Sequence, residues 1–193
     1  MAKSQMDSEN YEKAIELLEK TLSYPHNLGE GKLYGAQENL QYYMLGLAYE
    51  KSGNAEKAKE CFEKASTGLS EPKNAMYYND QPPETIFCQG MALLKLGDKE
   101  QANVRFDNLI NYCNAHINDD MKIDYFAVSL PDFLVLDADL NKQNKIHCTF
   151  MKALGSMGKN NVSQAKESFD LIMKEEPSHF RASYYYNLFA ENM

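Results

Sequence analysis

The composition of the chain limits its function classes before any motif is considered. It has 193 residues, and its 20 Lys and Arg against 28 Asp and Glu give a formal net charge of −8. Because the basic residues form no patch, the sequence argues against a protein that binds nucleic-acid phosphates. No apolar run approaches the roughly 20 residues of a membrane span, and no signal peptide is recognisable, so we expect a cytoplasmic location.

The amino-terminal part is expected to contribute one helix. We leave residues 1–7 out of the fold prediction and expect them to be disordered or an artificial extension. Residues 8–22 read SENYEKAIELLEKTL and predict a helix with Ala14 and Leu18 on one face. This segment matches only the second helix of the helix pairs described below, and residues 178–190 match only a first helix. The unpaired helices at both ends favour a fragment of a longer protein.

Residues 39–72 carry the most informative pattern of the chain. Within them, residues 40–65 read LQYYMLGLAYEKSGNAEKAKECFEKA. Gly53 favours the left-handed turn that ends a helix, so one helix is predicted before it and another after it. The helices present facing stripes, formed by Tyr42, Leu45, Gly46 and Tyr49 and by Ala58, Phe62 and Ala65. Since Gly46 has no side chain and Ala58 only a methyl group, we expect the helices to approach closely there.

The same pattern recurs along the chain. Three alanines lie 44 residues apart, and each is followed four residues later by a large apolar residue, in the pairs Ala14 and Leu18, Ala58 and Phe62, and Ala102 and Phe106. Within residues 83–114, Gly90 and Gly97 stand where Gly46 and Gly53 stood, and Pro82 and Pro83 mark a helix start. Self-similarity at a fixed period indicates a repeat architecture.

Residues 115–139 form the least regular region and are expected to be an insertion. Ser129 and Asp132 flank Pro131 and read as a capping box that begins a short helix. The region is also acidic, with Asp119, Asp120, Asp124, Asp132, Asp137 and Asp139. We interpret these aspartates as helix caps and turn residues rather than as a metal or acid–base site.

Residues 140–177 predict a divergent helix pair, with Ala165 and Phe169 at the expected interval. Met151 replaces the close-contact glycine, and the turn after Gly158 is two residues longer than in the earlier pairs. We therefore expect the two helices of this pair to be more widely spaced. Residues 178–190 are predicted to form a terminal helix.

These recurring positions resemble the tetratricopeptide repeat. The resemblance implies an all-α fold, an α-α superhelix in which antiparallel helix pairs form a solenoid, with irregular insertions between repeats, in a single domain over residues 8–193. The segments YYNDQPPETIFCQGMALLKLG and DYFAVSLPDFLVLDADL are also similar to the carboxy-terminal repeat region of long bacterial proteins that carry an uncharacterised β-rich domain. The repeat resemblance implies a non-enzymatic scaffold for protein–protein interaction, without catalytic residues, metal or cofactor.

A binding groove is expected on the concave surface, which first helices line. Counted from the packing glycines, the inward positions are Leu40, Tyr43, Leu47, Glu50, Glu84, Phe87, Met91, Leu94, Lys145, Cys148 and Lys152. Apolar residues dominate, which argues against a clamp for the terminal carboxylate of a peptide. We expect the groove to bind a protein or peptide, or a neighbouring domain of the same chain, but neither nucleic acid nor a membrane.

Two alternatives remain open from the sequence. The chain could be a helical accessory domain of a larger bacterial enzyme, such as a carbohydrate-active one. It could also be an autonomous hydrolase that uses Asp124, Asp132 or His147, which is the least favoured reading. The four cysteines, at positions 61, 88, 113 and 148, have no CxxC spacing and are expected to be buried, reduced thiols.

Overall fold

The computed structural model describes residues 1–25, 27, 29, 31, 32, 36–74, 80–122 and 139–190, with side chains up to residue 188. All regular secondary structure in these ranges is α-helical, which confirms the predicted all-α class. Ser129, Pro131 and Asp132, the predicted capping box, lie outside the described residues. None of the described helices is both long and apolar enough to cross a membrane.

The described residues form helices α1 to α9 in chain order. Their bounds are Ala2–Asp7, Tyr11–Thr21, Asn39–Lys51, Ala55–Ala65, Pro83–Lys95, Lys99–His116, Leu140–Gly158, Val162–Glu175 and Phe180–Ala190. The chain divides into two compact units. The first unit comprises Met1–Leu69 and Cys88–Ala102, and the second comprises Ser70–Phe87 and Asn103–Met193.

One turn motif separates the two helices of each pair. A residue in the left-handed region is followed by a residue whose backbone N–H donates to a carbonyl five positions earlier, from Asn54 to Tyr49, from Asp98 to Leu93 and from Asn161 to Ser156. The side chains of Asn54, Asp98 and Asn161 then accept a hydrogen bond from the backbone three residues on. Each turn thus ends one helix and caps the next.

The alanine and the large apolar residue of each second helix follow this turn at fixed distances. All eight are buried, namely Ala14, Leu18, Ala58, Phe62, Ala102, Phe106, Ala165 and Phe169. Because positions four and eight residues beyond the cap lie on the same helix face, the capped turn sets which face enters the core.

The close approach of α3 and α4 occurs at Gly46, as expected, and the atoms nearest to it belong to the Phe62 ring. A methyl group on Gly46 would place a carbon 2.6 Å from Phe62 Cδ1. Phe62 is 4% exposed. The glycine therefore makes room for an aromatic ring, which fills more of the core than an alanine methyl group could.

The register of α7 also differs from the prediction. α7 continues through Gly158, and Asn160, with φ 58°, takes the left-handed position that Gly53 and Gly97 occupy. The turn is therefore not two residues longer, and Ala153 rather than Met151 holds the place of Gly46 when positions are counted from the cap. Asparagine enters the left-handed region more readily than most residues, which is why no glycine is needed here.

Glycines of α7 pack instead against α6. A methyl group on Gly155 would lie 2.7 Å from both the Phe106 carbonyl oxygen and Ile110 Cγ1, and one on Gly158 would overlap the Phe106 ring. These two glycines therefore permit a close contact with the preceding helix. This contact was not predicted from the sequence.

Residues 1–7, which we expected to be disordered or an artificial extension, contain α1. Ala2 and Met6 pack against the core of the first unit, and the Asn10 N–H donates to the Gln5 carbonyl, with Glu9 at φ 58°. The backbone of this turn is the same as in the other pairs, but the Asn10 side chain does not cap α2. Partial burial of Ala2 and Met6 orders a segment that is too short to be helical alone.

The segment after α4 is held by side chains rather than by secondary structure. In the first unit, Asn39 donates to the carbonyls of Ala65 and Thr67, and Gln89 donates to that of Leu69. In the second unit, the carbonyls of Ser70 and Lys73 accept from Asn108 and His147. These bonds satisfy backbone groups that no helix supplies with partners.

Substitutions at Gly46 and Phe62 test the close contact between α3 and α4. Gly46→Ala should lower the free energy of unfolding by about 1–2 kcal/mol, because overpacking outweighs the gain in helix propensity. Phe62→Ala should lower it by about 3–5 kcal/mol by leaving a cavity. Urea denaturation of the full chain measures both changes.

The two changes should also interact. In a Phe62→Ala background, Gly46→Ala no longer meets a ring and should raise stability by up to about 1 kcal/mol, since alanine is the better helix former. If Gly46→Ala destabilises both backgrounds equally, the ring does not lie where the structure has it.

Candidate functional site

Six of the predicted groove residues belong to the first unit and form its candidate binding surface, which we call the α3–α5 surface. Leu40, Tyr43, Leu47 and Glu50 follow one another at helical spacing along α3, and Met91 and Leu94 lie on the second half of α5. Leu40 is 41% exposed, and the other apolar members are half-buried. The two helices are joined at one edge by an ion pair between Lys95 Nζ and Glu50 Oε2, at 2.6 Å.

Tyr43 lies at the centre of this surface along α3. Its ring is 6.0 Å from that of Phe62, which couples the surface to the core described above. Burial raises the pKa of the Tyr43 hydroxyl, and the nearby Cys88 and Glu50 add to the effect. The hydroxyl therefore stays protonated across the physiological range and can donate a hydrogen bond, while the ring offers apolar contact area.

The predicted positions Glu84 and Phe87 do not lie on an open groove. Both are buried, at 8% and 2% exposure, because α9 packs over them. Arg181 of α9 reaches Glu84 at 3.4 Å, and the ring of Tyr185 meets Phe87 edge-on with centroids 5.6 Å apart. These residues were assigned to a groove from their position within the repeat, but the sequence does not say where the terminal helix packs.

The predicted positions on α7 require a correction as well. Cys148 is fully buried, and its thiol donates to Asn144 Oδ1 at 3.6 Å. Burial raises the Cys148 pKa to about 12. The prediction placed the turn after α7 two residues too early. The residue of α7 that is equivalent to Tyr43 of α3 and Phe87 of α5 is therefore Phe150, and α9 covers it as well.

The two lysines of that set lie elsewhere on α7. Lys152 is half-buried, whereas Lys145 is exposed and borders a shallow groove between α7 and α8 of about 360 Å³. Lys142, beside Lys145 in this groove, pairs with Glu175 at 3.5 Å. Lys145 is thus not brought together with the residues of the α3–α5 surface in one unit.

The described aspartates of residues 115–139 make local contacts within the fold. Asp139 caps α7 by accepting from the Lys142 N–H at 2.9 Å. Asp119 contacts His116 Nδ1 at 2.7 Å, and hydrogen bonds from Asn141 and Lys122 lower the pKa of Asp120. Asp124, Asp132 and Asp137 lie outside the described residues.

No metal site emerges from the part of the chain that the structure describes, where no three His, Cys, Asp or Glu side chains are grouped to hold an ion. The four cysteines are buried free thiols, in agreement with the prediction. His147 was considered as a hydrolase residue, but its Nε2 is engaged by the Lys73 carbonyl at 2.9 Å. Its hydrogen bond therefore holds the segment after α4.

Comparison with protein families identifies one repeat. Residues 42–67 match the family model of the tetratricopeptide repeat. The match covers α3 from Tyr42, the Gly53 turn and α4, and it supports the predicted family at the level of this repeat. Repeats of this kind are typically non-catalytic scaffolds for protein interaction.

No solved protein structure matches the chain. The resemblance to the repeat region of long bacterial proteins stays a prediction.

The half-buried His147 makes the stability of the second unit depend on pH. Burial lowers the pKa of His147 below its ordinary value of 6.5, so the native state binds a proton less readily than the unfolded chain. Stability is therefore retained above that value and should fall as the pH drops through it. Thermal melts between about pH 7 and pH 5 measure the slope.

A glutamine can donate to the Lys73 carbonyl without titrating, so His147→Gln should flatten this slope. The pKa of His179 is lowered by burial too, so part of the slope should remain until His179 is replaced as well. An unchanged slope in His147→Gln would show that the imidazole does not titrate in this environment.

Proposed function

We propose that the chain is a non-enzymatic interaction scaffold and that the α3–α5 surface binds an apolar segment of a protein partner. The match to a tetratricopeptide repeat supports a role in protein interaction in general. Burial decides the choice of surface. The predicted groove residues on α3 and on the second half of α5 include apolar side chains that a ligand can reach, whereas Glu84, Phe87 and Cys148 are buried.

The chemistry of this surface favours an apolar ligand with a polar edge. Leu40, Leu47 and Leu94 present aliphatic groups, and the Tyr43 hydroxyl is a donor that stays protonated. Glu50 and Lys95 pair with each other at one edge, which leaves the apolar part of the surface without a charged side chain of its own. A peptide with apolar anchors at helical or alternating spacing fits such a surface.

Selection of displayed random peptides against the full chain tests the proposal. Leu40→Asp should weaken binding of a selected peptide at least about tenfold, because burying a leucine side chain contributes about 1.5–3 kcal/mol. Fluorescence anisotropy with the purified full chain measures the affinity.

An exposed leucine on another helix supplies the matched control. Leu171 of α8 is 51% exposed, so Leu171→Asp introduces the same charge with a similar effect on the fold and should leave affinity unchanged. Equal losses in both variants, or failure of the chain to select any peptide, would contradict the assignment of the α3–α5 surface.

A further inference from the structure

The inner side of α9 covers a surface in the second unit that has the features of a binding site for a helix. We call this surface the α9 cradle, formed by Glu84 and Phe87 of α5 and Phe150 of α7. Tyr185 lies with its ring centroid 5.6 Å from that of Phe87 and 6.0 Å from that of Phe150. Arg181, one helical turn earlier, stacks over Phe150 at 5.7 Å and reaches Glu84.

Glu84 is the unusual member of this cradle. Its carboxyl group is buried, and desolvation raises its pKa although Arg181 and a hydrogen bond from the backbone of Glu84 itself act in the opposite direction. A buried acid is costly unless a cation or hydrogen-bond donor meets it, so the cradle favours a ligand that brings a basic group.

The resident helix meets this demand imperfectly. The Arg181–Glu84 pair is a single contact at 3.4 Å, longer than the 2.7–2.9 Å or so of a well-formed charge-assisted hydrogen bond. The Arg181 side chain is 45% exposed, so solvent and a competing guanidinium group can reach the edge of the pair. A ligand with better geometry at Glu84 can therefore compete with α9.

The sequence of α9 also limits how strongly it holds its place. The helix spans 11 residues and contains three consecutive tyrosines, Tyr184 to Tyr186, which are weaker helix formers than alanine or leucine. A helix of this length is marginal on its own, so α9 loses its structure when it leaves the cradle. Residues 176–179 join it to α8 and provide the only covalent connection within the described chain.

We propose that the α9 cradle is a second peptide-binding site, at which α9 is a displaceable internal occupant. The external ligand is an amphipathic helix of a partner protein that carries a basic residue one turn before an aromatic residue, as Arg181 precedes Tyr185. Charge complementarity with Glu84 selects the basic residue, and Phe87 and Phe150 select the aromatic ring. The inference concerns the second unit only and does not depend on the proposed function of the α3–α5 surface.

A labelled peptide with the sequence of residues 178–190 probes the cradle in the full chain. The wild-type chain should bind it weakly, because α9 occupies the site most of the time. Tyr185→Ala loosens α9, so this variant should bind the peptide at least about tenfold more tightly than the wild type as the open fraction rises. A peptide with alanine in place of Arg181 and Tyr185 should bind at least about tenfold more weakly to either chain.

Phe180→Ala is the matched control. Phe180 is 80% exposed at the start of α9, so its replacement removes an aromatic ring from the same helix without touching the cradle. It should leave the affinity for the peptide at the wild-type value. Equal affinities of wild type and a folded Tyr185→Ala variant would overturn the proposal.

Hydrogen exchange in the unmodified chain keeps the test decisive if Tyr185→Ala fails to fold. Excess peptide should speed exchange of the α9 amides of residues 183–188, since the bound peptide keeps the resident helix out of its cradle. Unchanged exchange would overturn the proposal. A concentration-dependent dimer without peptide, seen by analytical ultracentrifugation, would identify α9 of a second copy as the occupant and also overturn the assignment to a separate partner.

Discussion

The structure depends on a capped turn that places an alanine and a large apolar residue on the inner face of each second helix. In the α3–α4 pair, the ring brought inward by this turn, Phe62, needs a neighbour without a side chain, and Gly46 supplies it. In the second unit, the ring of Phe106 of α6 has the same requirement, and Gly158 of α7 meets it, whereas Gly155 makes room for the Phe106 carbonyl oxygen and the Ile110 side chain. In both units the volume of one aromatic ring is the constraint, and the direction of that ring decides which glycine must face it.

The α3–α4 pair was predictable because every signal agreed. Gly53 marked the end of a helix, and the apolar positions on both sides of it had helical spacing. α7 shows the limit of the same reasoning, since Gly158 looked like the turn residue although Asn160 takes that conformation. A glycine inside a helix and a glycine ending one cannot be told apart without knowing which neighbour packs against it.

The candidate site was predictable only in part for a related reason. Repeat position indicates which side chains are expected to point inward from a first helix, and on α3 and the second half of α5 it selected residues that are exposed or half-buried. It does not indicate whether another helix covers them, which is why Phe87 was assigned to a groove although α9 covers it. α1 was missed because two half-buried side chains, Ala2 and Met6, hold a segment that is too short to carry a periodic signal.

The two candidate surfaces differ in whether another part of the chain covers them. The α3–α5 surface has half-buried leucines and a paired edge, so binding there requires no rearrangement. The α9 cradle is occupied by α9, so a ligand would have to bind the cradle strongly enough to displace that helix. Open and occupied sites on one chain respond differently to partner concentration, because only the second carries an internal competitor.

The side-chain bonds to the segment after α4 have a consequence for how this chain can vary. The extra residues between its helix pairs would ordinarily be regarded as a loop whose length is free to change. Here Asn39 and Gln89 hold carbonyls at 65, 67 and 69, while Asn108 and His147 hold those at 70 and 73. Inserting or deleting one residue between positions 65 and 73 would move carbonyls away from the side chains that donate to them, so this part of the connection cannot change its length freely.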